Sequence, residues 1–200
     1  MSDLQKVTEW SKRIHEWAID KGWWEGGIET RDVAEIVANF HSEASEAWEE
    51  YRAGRMDTWY SWKGEAFKSF DAGSVISESG LFVNKNKWMK PEGFWVEIAD
   101  LCIRIMDAME AYGWPASDRE TNGNQGEDLP GLIIDFHATI SSMFVRGCSS
   151  WSSQADIWAQ TIIVDAIVAA RQNGVDLWKL IELKHRYNET RPYRHGGKKA

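Results

Sequence analysis

Two acidic pairs provide the chemistry that this sequence can support. Glu43 and Glu46 lie three residues apart, and Glu97 and Asp100 repeat that spacing later in the chain. Residues at this spacing share one face of a helix, so each pair presents two carboxylates side by side. Four carboxylates that face one another repel, and some stay protonated unless a cation lies between them. Because oxygen ligands suit hard divalent cations, the pairs predict a Mg²⁺ site, with Mn²⁺ as an alternative.

Both pairs must be positioned by helices. The first lies in residues 30–53, where apolar residues recur at helical spacing up to Gly54. The second lies in a helix predicted over residues 91–112, with Pro91 in its first turn and Gly113 after its end. Most other residues of this second helix are apolar, so we expect its carboxylates to face the interior and to need partners.

The remaining segments predict an all-α protein. Further helices are predicted over residues 3–21, 130–145, 153–173 and 175–189. Residues 55–90 are interpreted as an insertion with short helical turns, and residues 116–129 as an exposed polar linker. No segment alternates polar and apolar residues convincingly, so we expect one domain over residues 1–200, a bundle of five to six main helices.

Composition excludes several classes of function. The net charge of −8 argues against a nucleic-acid-binding surface. Cys102 and Cys148 have no metal-binding spacing, so a thiolate zinc site is not expected. The N-terminal residues lack a signal-peptide pattern, and the longest apolar run, TIIVDAIVAA, is too short to cross a bilayer and contains Asp165. We therefore expect a cytoplasmic protein with no membrane or nucleic-acid partner.

The second half of the chain resembles the first half. The Phe-His dipeptides at residues 40–41 and 136–137 align, and the helix that ends at Gly113 aligns with the one that ends at Gly174. In this register the second copy, residues 130–190, lacks all four carboxylates. The chain is interpreted as a duplicated helical hairpin with one intact acidic site and one degenerate copy.

Four segments around the acidic pairs resemble one known family. They are HSEASEAWEEYRAG, KPEGFWVEIADLCIRIMDAM, DLWKLIELKHRYNETRP and HGGK, in that order. Together they resemble the MazG-like branch of the all-α nucleoside triphosphate pyrophosphohydrolases. The resemblance implies that a homodimer hydrolyses a (deoxy)nucleoside triphosphate to the monophosphate and pyrophosphate, which cleanses or adjusts a nucleotide pool.

The resemblance also implies which residues act on the metal and the water. Glu43, Glu46, Glu97 and Asp100 would hold Mg²⁺, which bridges phosphates and neutralises their charge. Glu43 or Glu46 would activate the attacking water, with Glu43 favoured.

Five more residues match the family's ligand-binding positions. Lys184, Asn188 and Arg191 would bind phosphate oxygens, Lys as a point charge and Arg as a bidentate fork. His15 and Trp24 would frame the base. The segment between the acidic pairs is longer than in compact relatives, which leaves substrate choice and assembly open.

Other polar residues are interpreted as structural or solvent-exposed. Arg104 and Asp107 continue the polar stripe of the second acidic helix and predict an ion-pair network near the site. His185 and His195 lie in a basic C-terminal region and are expected to face solvent.

Two competing functions remain open. A catalytically silent helical module would bind a nucleotide or a partner protein without turnover. A di-iron carboxylate bundle would need two Glu-x-x-His motifs, and the sequence offers one plausible motif, from Glu182 to His185.

Overall fold

The computed structural model describes residues 1–62, 65–66, 74–76, 82–84, 87–117 and 128–197. The predicted all-α bundle is confirmed. A short turn, α7 (Arg194–Gly197), follows six main helices: α1 (Asp3–Asp20), α2 (Val33–Arg52), α3 (Phe94–Ala111), α4 (Leu129–Ser142), α5 (Ala155–Gln172) and α6 (Leu177–Glu189). Among the described residues, no helix combines the length and the apolar character needed to span a bilayer.

Helix α3 is the centre of the bundle and packs against α1, α2, α5 and α6. Fourteen of its 18 residues are buried, and these include Glu97 and Asp100. Cys102 is also buried there, as expected for a small apolar side chain, and burial raises the pKa of its thiol to about 12. The helix therefore carries two carboxylates into the protein interior, where each needs a compensating charge.

Short antiparallel strands, which were not predicted, accompany the helices. The described strands form three sheets with the orders β2-β1-β6, β3-β4-β5 and β7-β8. They are β1 (Trp59–Trp62), β2 (Glu65–Ala66), β3 (Ser74–Ile76), β4 (Phe82–Asn84), β5 (Lys87–Trp88), β6 (Lys90–Glu92), β7 (Phe144–Val145) and β8 (Ser150–Trp151).

These strands show that two predicted helix boundaries, and the interpretation of residues 55–90 as helical turns, are wrong. The described part of residues 55–90 forms strands rather than helical turns. Pro91 does not begin a helix: it lies in β6, at the edge of its sheet, where a residue without an N–H is tolerated. The helix predicted to reach residue 145 ends at Ser142, because the next residues pair with β8. The predicted linker lies mostly outside the described residues.

Gly93 makes the junction between β6 and α3 possible. Its φ of 122° lies in a region that favours glycine, and a Cβ at this position would lie 2.5 Å from the backbone oxygen of Asp57. The Gly93 carbonyl also accepts hydrogen bonds from the amides of Val96 and Glu97. Gly93 therefore sets where α3 begins, and with it the position of Glu97.

We expect Gly93→Ala to lower the free energy of unfolding by about 2–3 kcal/mol, because the strained φ and the backbone clash add. Gly113→Ala is the matched control: its φ is 66°, but a Cβ there meets nothing within 4 Å, so about 1 kcal/mol is expected. Urea unfolding followed by tryptophan fluorescence measures both. Equal losses in the two variants would contradict the role given to the Asp57 contact.

The two histidines of the proposed repeat meet where α2 packs against α4. The Nδ1 atoms of His41 and His137 lie 2.8 Å apart. Their ring planes differ by 10° and their centroids are 5.2 Å apart, so the rings lie edge to edge in nearly one plane. Gly113 and Gly174 end α3 and α5 with similar φ values of 66° and 73°. The duplication itself stays a prediction.

Candidate metal centre

Three carboxylates from two helices converge in the interior. Glu43 on α2 and Glu97 and Asp100 on α3 each place an oxygen within 4.8 Å of the others. All three residues are buried. Opposite ligands of an octahedral Mg²⁺ lie about 4.2 Å apart, given bonds of about 2.1 Å, so small side-chain shifts would let this triad hold the ion. Hard oxygen donors of this type fit Mg²⁺ or Mn²⁺.

A cavity of about 240 Å³ opens beside this triad of Glu43, Glu97 and Asp100. Two triad members, Glu43 and Asp100, form part of its wall. Glu46 also lines it but is solvent-exposed and lies outside the triad, with the Ser42 hydroxyl donating to it over 3.3 Å. The wall also contains basic, aromatic and aliphatic residues, among them Arg31, Arg104, Arg191, Trp17, Trp23, Ile14 and Ile103.

Two basic side chains form ion pairs with the three carboxylates of the triad. The Nζ atom of Lys184 lies 3.2 Å from both carboxylate oxygens of Glu97 and 3.4 Å from Oδ2 of Asp100. Nε of Arg104 lies 2.6 Å from Oε1 of Glu43. Lys184 is buried as deeply as the carboxylates, so its ammonium and theirs depend on one another for compensation.

Burial dominates the protonation of the two glutamates. It raises the pKa of Glu43 to about 7, and the charge of Asp100 adds to the rise while Arg104 opposes it. Burial also raises the pKa of Glu97 to about 8, although Lys184 and Lys90 act in the opposite direction. Both groups therefore titrate near neutral pH, because the cost of burying each negative charge exceeds the gain from the nearby basic side chains.

Asp100 behaves in the opposite way. Burial alone would raise its pKa, but Lys184, Arg104 and Lys90 outweigh burial and lower the pKa to about 2. The pKa of Lys184 is raised, because Asp100 and Glu97 outweigh the effect of its burial. The permanent charge pair at the centre of the site is thus Asp100 with Lys184.

The structure separates the three predicted phosphate-binding residues. Asn188 and Arg191 line the cavity, and Asn188 Nδ2 donates to Asp100 over 3.4 Å. Among the described residues, no carboxylate lies within ion-pair distance of the Arg191 guanidinium, whose pKa is lowered by burial. Lys184 is not part of the cavity wall, because its ammonium is held by the triad.

The two predicted base-binding residues lie behind the cavity wall and are held by Asp107. His15 Nδ1 lies 2.7 Å from Asp107 Oδ1, and Trp24 Nε1 donates to both Asp107 oxygens at 2.9 and 3.0 Å. Neither residue lines the cavity, whereas Asp107, Trp17 and Trp23 do. The expected ion-pair network therefore links Arg104 and Asp107 to other helices rather than to each other.

Sequence reasoning missed several residues of the cavity wall, among them Trp17, Trp23, Arg31 and His195. The Arg31 guanidinium lies 4.8 Å from the Trp24 ring centroid. His195, expected in solvent, contacts the Trp23 ring at a centroid distance of 4.9 Å. It is brought there because Arg194 donates to the Gly22 carbonyl over 3.0 Å. No local spacing signals these contacts, since they depend on how the C-terminal segment folds back.

His185, also predicted to face solvent, is fully buried between Trp10 and Trp17, with ring centroids 5.6 and 5.3 Å away. The solvent interpretation is wrong, because α6 presents this side chain to α1. Glu182 pairs with Arg186, so the Glu-x-x-His motif forms no metal site among the described residues.

Burial lowers the pKa of His185 to about 4, below its unfolded value of about 6.5. The neutral ring is the form that the fold accepts, so stability should fall as the pH drops below about 6.5 and continue to fall to about pH 4. We expect His185→Gln to flatten this fall by about 2–3 kcal/mol. Urea unfolding of both proteins from pH 7.5 to 4 measures the difference, and parallel pH profiles would contradict the prediction.

The geometry of the triad and its cavity is the basis for assigning a function. Comparison with protein-family models, with curated proteins and with solved structures finds no match.

Proposed function

We propose that the protein is a Mg²⁺-dependent hydrolase that converts a (deoxy)nucleoside triphosphate to the monophosphate and pyrophosphate. The observation that carries this proposal is the buried triad at the wall of a cavity that also presents arginines and tryptophans. A polyphosphate needs a cation and guanidinium forks, and a base needs flat apolar surfaces. One cavity of this protein combines carboxylates suited to a cation with arginines and tryptophans.

In this proposal Glu43, Glu97 and Asp100 hold the metal, which neutralises phosphate charge when bound. Glu46 lines the cavity, is solvent-exposed and lies outside the triad. These features make Glu46 the better candidate to accept a proton from the attacking water, a role first favoured for Glu43.

The remaining cavity residues bind the two ends of the substrate. Arg191 supplies a fork for phosphate oxygens, and Trp17 and Trp23 provide surfaces for the base. Lys184 takes a different role from the one first expected, because it holds Glu97 and Asp100 in place.

The test is a panel of common and modified nucleoside triphosphates, read out by pyrophosphate release with and without Mg²⁺. We expect metal-dependent release that Glu46→Gln reduces by about 10²–10⁴-fold while Mg²⁺ still binds. Glu49→Gln is the control, since Glu49 is exposed on the same helix and paired with Arg52. Absence of pyrophosphate with every substrate would reject the proposal.

One observation favours a second candidate, a catalytically silent nucleotide-binding module. Lys184 and Arg104 already form ion pairs with all three carboxylates, so each carboxylate has a basic partner without a metal. Calorimetry that shows nucleotide binding without metal, together with no product, would support this alternative. The homodimer and the cytoplasmic location stay predictions, and sedimentation analysis would test the first.

A further inference from the structure

Arg104 connects the triad to the cavity. It lies one turn after Asp100 on α3, and its Nε pairs with Glu43 at 2.6 Å. Its side chain is 38% exposed, whereas that of Glu43 is 4% exposed. Within the described part of the chain, Glu43 is the carboxylate at ion-pair distance from this guanidinium. Arg104 also lines the cavity, so the guanidinium pairs with the triad and is at the same time partly open to the cavity.

Glu43 has two competing partners in the proposed site. A divalent cation at the triad needs an oxygen of Glu43, and the same carboxylate now neutralises Arg104. A metal that takes Glu43 leaves the guanidinium without its carboxylate, at the wall of a cavity that already presents Arg191. An unpaired guanidinium in such a place is best compensated by an anionic ligand with planar or tetrahedral oxygens.

We propose that Arg104 is a phosphate-binding residue that becomes available when a metal ion displaces it from Glu43. This inference rests on the proposed function and adds an order to it: the metal binds first, and the polyphosphate then binds the released guanidinium. The metal-free protein is held in a state of low affinity for anions, because Arg104 is already paired.

Lys184 cannot play this part, although it also pairs with the triad. Its side chain is 1% exposed, and its ammonium pairs with Glu97 and Asp100 at the same time. It does not line the cavity, so release of its ammonium would not bring it to a ligand. Arg104 is the basic partner of the triad that is both partly exposed and part of the cavity wall.

The test uses Arg104→Gln in the full chain, with inorganic pyrophosphate as the anion. Calorimetry first measures Mg²⁺ alone, and then measures pyrophosphate at saturating Mg²⁺. We expect Mg²⁺ to bind about threefold more tightly, because its competitor is gone. Pyrophosphate should bind about tenfold more weakly, because a charge-assisted fork is lost. Arg171→Gln, which removes a surface arginine paired with Asp3, should change neither affinity.

A rise in Mg²⁺ affinity together with a fall in pyrophosphate affinity would show that Arg104 is released from Glu43 to bind the anion. A merely structural role of Arg104 would not produce these opposite changes. If both affinities fall together, or if pyrophosphate affinity is unchanged, Arg104 serves only to hold Glu43 and the inference is rejected. If the unaltered protein binds no Mg²⁺, the proposed function fails and this inference fails with it. Arg104→Lys, which keeps the charge but not the fork, provides the same pyrophosphate test if the glutamine variant does not fold.

Discussion

Replacement of Lys184 by methionine should lower the free energy of unfolding by about 3–5 kcal/mol at neutral pH. The methionine fills a similar volume but leaves Glu97 and Asp100 without their buried cation. Glu97, with a pKa near 8, is already mostly protonated at neutral pH, so most of the penalty falls on Asp100, whose pKa Lys184 helps to lower. Mg²⁺ should restore more stability to this variant than to the unaltered protein, because a divalent cation replaces the missing charge.

Urea unfolding with and without Mg²⁺ measures both effects. Lys179→Met is the matched control: Lys179 lies on the same helix, but it is exposed and pairs with Asp176 at the surface, so a change below about 0.5 kcal/mol is expected. A loss in Lys184→Met no larger than in the control would show that the buried pair does not hold the triad together.

The second large effect is expected for Asp100→Asn. The amide keeps the size of the side chain and leaves Lys184 paired with Glu97, so the fold should persist. It removes the one triad charge that is permanent, and with it an oxygen ligand of the proposed metal. Because metal stabilisation of a transition state amounts to several kcal/mol, Mg²⁺-dependent turnover should fall by about 10²–10⁴-fold.

Steady-state pyrophosphate release and Mg²⁺ calorimetry test this variant, with Asp20→Asn at the exposed end of α1 as the control. Circular dichroism checks that both variants are folded. Retained turnover together with retained Mg²⁺ affinity in Asp100→Asn would exclude the triad as the metal site.

The helices could be predicted from the sequence because their signals are local. Gly54 follows the end of α2, as predicted, whereas the start predicted at residue 30 lies at Val33, where Asp32 caps the helix by accepting from the amide of Ala34. The strands could not be predicted, since each has only two to four residues and gains its stability from a partner elsewhere. Pro91 shows the limit of local signals. Both an edge strand and a first helical turn tolerate proline, and Pro91 lies in a strand because its segment pairs with β1.

In the site, too, local spacing predicted some features and tertiary packing determined the others. Residue spacing indicated that Glu43, Glu97 and Asp100 would share a site, because each pair occupies one helix face. Spacing could not show that Glu46 would stay in solvent, since that depends on how α2 is rotated against α3. Nor could it show that Asp107 would engage His15 from another helix, because tertiary packing determines such contacts.

The contact between His41 and His137 has a consequence for the symmetry of the bundle. Two facing Nδ1 atoms at 2.8 Å have room for a single hydrogen between them, so one ring must donate and the other accept. The two imidazoles are then opposite tautomers, even though they occupy equivalent places in the proposed repeat. The two histidines therefore differ chemically where α2 packs against α4, although the proposed repeat makes them equivalent in sequence.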